Sequence, residues 1–121
     1  MLKRPMSEPL AELVATRLRI LGQPLRIRLI DLVDLRPEAT VQELADLLGT
    51  TQQNVSQHLG ILFRAGALGR RKKGTRVHYF LDDQHILPLL EDAAASISRQ
   101  LAELSRMVEP DASEPVSPLT K

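Results

Sequence analysis

One stretch, residues 41–64, VQELADLLGTTQQNVSQHLGILFR, limits the folds open to this chain more than any other. It holds two runs with apolar residues three and four apart, the spacing of one helical face. Val41, Leu44, Ala45, Leu47 and Leu48 make the first stripe; Val55, Leu59, Leu62 and Phe63 make the second. Thr40-Val41-Gln42-Glu43 has the form of a capping box, with Thr at N-cap and Glu three positions on. Gly49 closes the first helix, Thr50 or Thr51 caps the second, and Gly66 ends it near Arg64. A link as short as Gly49-Thr50 forces a tight crossing, which is helix–turn–helix spacing.

The flanking elements follow from the same periodicity. Residues 8–21 place Leu10, Leu13, Val14, Leu18 and Leu21 on one face of a helix that Gly22 stops. Pro24 can open the next helix, because its missing N–H falls among first-turn donors that have no partner anyway. That helix runs to about Leu35, and Pro37 ends it. After Gly66, two β-like runs, 67–71 and 75–81, flank Lys72-Lys73-Gly74 and predict a hairpin with glycine at the turn. Residues 84–108 then form a long helix whose Ile86, Leu90, Ala93, Ala94, Ile97, Leu101, Leu104 and Val108 share a face. Pro88 must sit in its first turn or kink it, and Asp82 or Asp83 is placed to cap it. The expected organisation is a disordered start (1–7), one domain (8–108) and a proline-bearing disordered tail (109–121). With aromatics at 2%, the core must be Leu, Ile, Val and Ala, which suits helices better than a β-sandwich.

Residues 50–59 carry no formal charge unless His58 is protonated, in a chain that is 26% charged. Solubility alone would be served by Lys and Glu. Gln and Asn instead present a donor and an acceptor side by side, the pattern that matches adenine in the major groove. The second helix of a helix–turn–helix lies in that groove. Gln52, Gln53, Ser56 and Gln57 are therefore the candidate base contacts, with Thr51 and Asn54 near phosphates. His58, one residue from the apolar stripe, either reaches the DNA backbone or orients the helix. Arg64, Arg70, Arg71, Lys72, Lys73 and Arg76 fall within thirteen residues that contain no acid. A basic hairpin beside a helix–turn–helix makes a wing. Its Arg70, Arg71, Lys72, Lys73 and Arg76 would serve the DNA backbone. Charge is split accordingly: residues 1–76 carry +6 and residues 77–121 carry −5.

Several function classes drop out. The absence of cysteine removes disulfides, thiolate metal ligands and cysteine nucleophiles together. The three scattered His residues, without a Gly-rich phosphate loop or an HExxH, leave no enzyme reading and no expected cofactor. No apolar run suits a signal peptide or a bilayer span, so a cytoplasmic protein with no membrane association is expected.

The residues also carry a family resemblance. Residues 21–30, LGQPLRIRLI, look like the LADPTRLRIL segment of ArsR-type (ArsR/SmtB) winged-helix repressors. Val41-Gln42-Glu43-Leu44-Ala45, then Val55-Ser56-Gln57-His58-Leu59, then Leu62 and Ala65-Gly66, are similar to that family's helix–turn–helix. Gly69-Arg70-Arg71 to Gly74 and Val77 to Leu81 resemble its wing. The resemblance implies a mainly α fold, a winged helix–turn–helix of five helices and a two-stranded wing. It also implies a homodimer formed by the first and last helices, through Leu10, Leu13, Val14, Leu90, Ala94, Ile97, Leu101 and Leu104. The apolar stripes of both helices exceed what one small core can bury, which points the same way. A two-fold dimer implies double-stranded DNA with a palindromic operator as partner.

The family's metal sites fit this sequence poorly. The Cys-x-Cys positions of one fall on Thr40 and Gln42. For the other, Asp83-Gln84-His85 fits the first half, but the second half falls on Ser96 and Arg99, and arginine cannot be a ligand. No metal site is therefore expected. Two alternatives stand beside the repressor: a sensor using Asp83 and His85 in a non-thiol site at the dimer interface, and a winged-helix protein-interaction module.

Overall fold

The computed structural model describes residues 2–108. The expected disordered tail, 109–121, lies outside the described residues. Contacts divide the chain into two compact units, residues 1–84 and residues from 85 onward.

The first unit contains α1 (Glu8–Leu21), α2 (Pro24–Leu35), α3 (Val41–Leu48), α4 (Gln52–Arg64), β1 (Leu68–Lys73) and β2 (Arg76–Leu81). Each helix boundary has a local cause. The Ser7 hydroxyl accepts the Leu10 N–H at 3.3 Å to open α1. Pro24 opens α2. Both halves of the capping box are present at α3: Glu43 N–H donates to the Thr40 hydroxyl (3.1 Å), and Thr40 N–H donates to the Glu43 carboxylate (2.9 Å). Gly49 ends α3 at φ +69°, a left-handed conformation glycine adopts without cost. Of the two candidate caps for α4, the structure uses Thr51, whose hydroxyl accepts the Asn54 N–H at 3.0 Å.

Leu29, Ile30 and Val33 of α2, Leu44, Ala45 and Leu48 of α3, and Val55, Leu59 and Leu62 of α4 are buried. They meet Ala67 and Leu68 at the base of the wing in an aliphatic core. Each buried Leu, Ile or Val side chain contributes about 1.5–3 kcal/mol by leaving water. This core fixes α4 on α3, and therefore fixes which face of α4 is left outside.

The hairpin differs from the sequence expectation. Lys72 and Lys73 are strand residues, and the turn is Gly74-Thr75, with Gly74 at φ +65°. Lys73 pairs with Arg76, and the register runs back through Arg71↔His78 and Gly69↔Phe80 to Leu68↔Leu81. The Phe80 ring lies across Gly69, so a Cβ at that position would force the ring to move.

The second unit contains α5 (Ile86–Met107), which starts two residues later than expected, with Pro88 in its first turn. Its N-cap is His85, not Asp82 or Asp83. The Asp83 carboxylate instead accepts from Arg17 at 2.9 Å, and the backbone N–H groups of both aspartates donate to the Ala67 carbonyl at 3.1 and 3.3 Å. Among the described residues, five helices and one two-stranded antiparallel sheet make the fold mainly helical, a winged helix–turn–helix.

Candidate nucleic-acid interface

Helix α4 has two faces of opposite character. Val55, Leu59 and Leu62 are fully buried. Gln52, Gln53, Ser56 and Gln57, at helical spacings of one and four, are all exposed. Thr51 is exposed but spends its hydroxyl on the cap. Asn54 is half-buried and donates its amide to the Thr50 hydroxyl at 3.1 Å, which braces the turn.

His58 is half-buried and turned toward α2. Its Nδ1 accepts from the Arg26 Nε at 3.1 Å, and Arg26 also donates to the Ile20 carbonyl at 3.0 Å. Burial, and after it the Arg26 guanidinium, hold the imidazole below its ordinary pKa. The orienting role weighed for this residue thus has a physical partner, while its Nε2 remains for other contacts.

The five wing cations are not equivalent. The Arg70 guanidinium lies over the Phe63 ring at 4.1 Å, and Arg71 lies over Phe80 at 4.7 Å. Lys73 reaches Glu38 in the α2–α3 loop at 3.4 Å. Lys72 and Arg76 are exposed and have no ion pair among the described residues. Sequence reasoning had Phe63 only as part of an apolar stripe, and it missed Phe80 and Glu38 as partners. No local signal marks Glu38, which lies 35 residues from Lys73.

The two residues suggested for a non-thiol sensor have other surroundings. Asp83 accepts from Arg17 at 2.9 Å in a partly buried ion pair, and Arg17 also donates to the Ala65 carbonyl at 3.1 Å. His85 caps α5. Among the described residues no three His, Cys, Asp or Glu side chains are grouped to hold a metal ion. His78, on β2, has a buried Nδ1 with no hydrogen-bond partner.

The stripes assigned to dimerisation are largely uncovered. On α1, Leu10, Leu13, Val14 and Leu18 are exposed, Leu13 to 67%. On α5, Ala94, Ile97 and Leu104 are exposed, while Leu90 and Leu101 are half-buried. No helix of the described residues is long and apolar enough to cross a membrane.

A helix–turn–helix with an open amide face, followed by a cationic two-stranded wing, defines a DNA-binding transcriptional regulator rather than an enzyme. Comparison with known proteins agrees. Residues 21–70 match a family described as a helix-turn-helix domain. The HTH-type transcriptional regulator Rv0081 of Mycobacterium tuberculosis is 33% identical over 103 residues, 85% of this chain and 90% of that protein. The HTH-type transcriptional repressor SmtB of the same organism is 40% identical over 79 residues, 64% of this chain and 57% of SmtB. The crystal structure of M. tuberculosis Rv0081 superposes with a TM-score of 0.71 at 36% identity, covering 80% of this chain and 97% of the other. This chain belongs to the ArsR/SmtB family of winged helix–turn–helix transcriptional regulators.

Proposed function

We propose that this regulator is a cytoplasmic homodimeric repressor that binds a palindromic operator. The carrying observation is the open, uncharged face of Gln52, Gln53, Ser56 and Gln57, backed by a fully buried Val55, Leu59 and Leu62. Side chains of this type, held on a rigid helix, suit hydrogen bonding to base edges. Thr51 and Asn54 stand at the start of the helix, near the flanking phosphates, and His58 offers its Nε2 from the side. Arg70, Arg71, Lys72, Lys73 and Arg76 follow the backbone from the wing.

The dimer rests on the uncovered stripes. Leu10, Leu13 and Val14 on α1, and Leu90, Ala94, Ile97, Leu101 and Leu104 on α5, would leave a large apolar surface bare in a monomer. A two-fold pair presents two copies of α4 to half-sites about one helical turn, roughly 10 base pairs, apart or a multiple of that. Selection from random duplex DNA tests the reading. Enrichment of an inverted repeat with that spacing is expected. Enrichment of a single asymmetric site overturns the palindrome, and enrichment of no sequence overturns DNA readout. A monomer in sedimentation equilibrium at micromolar concentration overturns the dimer.

A further inference from the structure

Two hollows flank α3, and their linings differ in charge. One, about 550 Å3, is lined by Arg36, Glu38, Glu43 and Asp46 among others, so carboxylates dominate it. The other, about 390 Å3, lies between the start of α3 (Thr40, Val41, Gln42), the first residue of α4 (Gln52) and the wing turn (Thr75, Arg76, Val77). Arg76 is the only charged side chain that lines it. We propose that this second hollow seats one phosphate of the DNA backbone, clasped between α3 and the wing turn. The proposal deepens the DNA-binding reading above and rests on it.

The geometry argues from the duplex inward. An α-helix with its side chains is about 10–12 Å across and fills a major groove about 12 Å wide, so a backbone strand must run beside it. Gln52 belongs both to the base-reading face and to the lining of the hollow. A strand flanking the N-terminal end of α4 therefore passes over the hollow. There it meets one cation and several neutral donors. Arg76 is exposed and has no ion pair among the described residues, so its planar fork is available to two phosphate oxygens. The Thr40 hydroxyl oxygen accepts from Glu43 N–H, which leaves its proton to donate outward. Gln42 gives one amide hydrogen to Asp46 at 2.9 Å and keeps the second. Thr75 adds a hydroxyl at the turn. The two carboxylates of α3 are both engaged, Glu43 on Thr40 N–H and Asp46 on the Gln42 amide, and both line the acidic hollow instead. Thr40, Gln42 and Thr75 thus join the interface as positioning contacts, and the seat ties the wing to the helix–turn–helix through a single phosphate.

The test uses a duplex recovered by selection, with single phosphates replaced in turn by uncharged methylphosphonate. Wild type is compared with Arg76→Gln, Thr75→Ala and Gln42→Ala, each at an exposed position. One neutralised phosphate per half-site should weaken wild type and leave Arg76→Gln unaffected. Arg76→Gln, which removes one seated phosphate from each half-site of the dimer, should also lower the log–log salt slope by about 1.8, so its affinity falls about 12-fold less between 50 and 200 mM salt. Thr75→Ala and Gln42→Ala should weaken all sequences a few-fold with the slope unchanged. Wild-type slope in Arg76→Gln, or additive losses at every phosphate, would overturn the seat while leaving DNA binding intact. Failure of wild type to bind any duplex would overturn the DNA reading, and the seat with it.

Discussion

Helix α4 and the wing are two polar surfaces of one small unit, built on opposite principles. The outward side chains of α4 are neutral, and Gln52, Gln53, Ser56 and Gln57 make no hydrogen bonds to other described side chains. The wing is cationic, and three of its five charges are engaged before any ligand arrives: Arg70 and Arg71 on aromatic rings, Lys73 on Glu38. The difference follows from what each surface must do. An amide that reads a base needs both hydrogen-bonding edges unspent, because an unmatched edge is what rejects the wrong base. A phosphate contact needs only charge in the right place, so the wing can tie its cations down loosely in advance. An exposed ion pair is worth about 0–1 kcal/mol and an exposed cation–π contact about 0.5–1 kcal/mol, so exchanging either for a phosphate costs little.

That contrast can be broken most severely from the inside. Leu59→Ala removes a fully buried anchor of α4 and should destabilise the fold by about 2–5 kcal/mol, measured by urea denaturation. A cost below 1 kcal/mol would mean that the inner face does not hold the reading face in place. Next, Gln53→Ala should lose about 1–3 kcal/mol of affinity per half-site and relax one base position in each, whereas Lys72→Ala should weaken all sequences alike and lower the salt slope of the dimer by about 1.8. Identical specificity profiles for the two variants would erase the distinction between the surfaces. Glu38→Gln should act in the other direction, releasing Lys73 and tightening binding by no more than about fivefold, given the small worth of an exposed pair. Unchanged affinity and slope would show that the Glu38 contact does not restrain the wing.

The smallest effect belongs to His58, where the two regimes meet. Its pKa is lowered in the folded state, first by burial and then by Arg26, and its Nδ1 accepts from Arg26 only when unprotonated. The unfolded chain takes up a proton near pH 6.5, before the folded chain does. Stability should therefore be full above about pH 6.5, fall as pH drops below it, and level off once the folded imidazole also protonates. His58→Gln should flatten that dependence. Equal losses in urea midpoint for wild type and variant between about pH 7.5 and 5.5 would assign the acid sensitivity to another group.

The helices were legible in the sequence because their signals are local. Helix α1 ends where Gly22 places its boundary, α2 begins and ends where Pro24 and Pro37 do, and α3 where Thr40, Glu43 and Gly49 do; the Ser7 cap of α1 came from the structure. A cap or a stripe lies within about four residues of what it controls, so pattern and propensity agree without help from the rest of the chain. The wing was legible in kind but not in register. Pairing is settled by the Gly74 turn conformation and by Phe80 lying across Gly69, and composition alone shows neither.

By itself, then, the sequence determined the order of the elements, the helix–turn–helix and the two faces of α4. Only the tertiary structure decided which polar groups are spoken for. Lys73 with Glu38, Arg26 with His58 and Arg17 with Asp83 are separated by 35, 32 and 66 residues. The physical reason is one of range: helix signals act between neighbours along the chain, whereas the fate of a charge depends on which distant groups the packed core brings beside it.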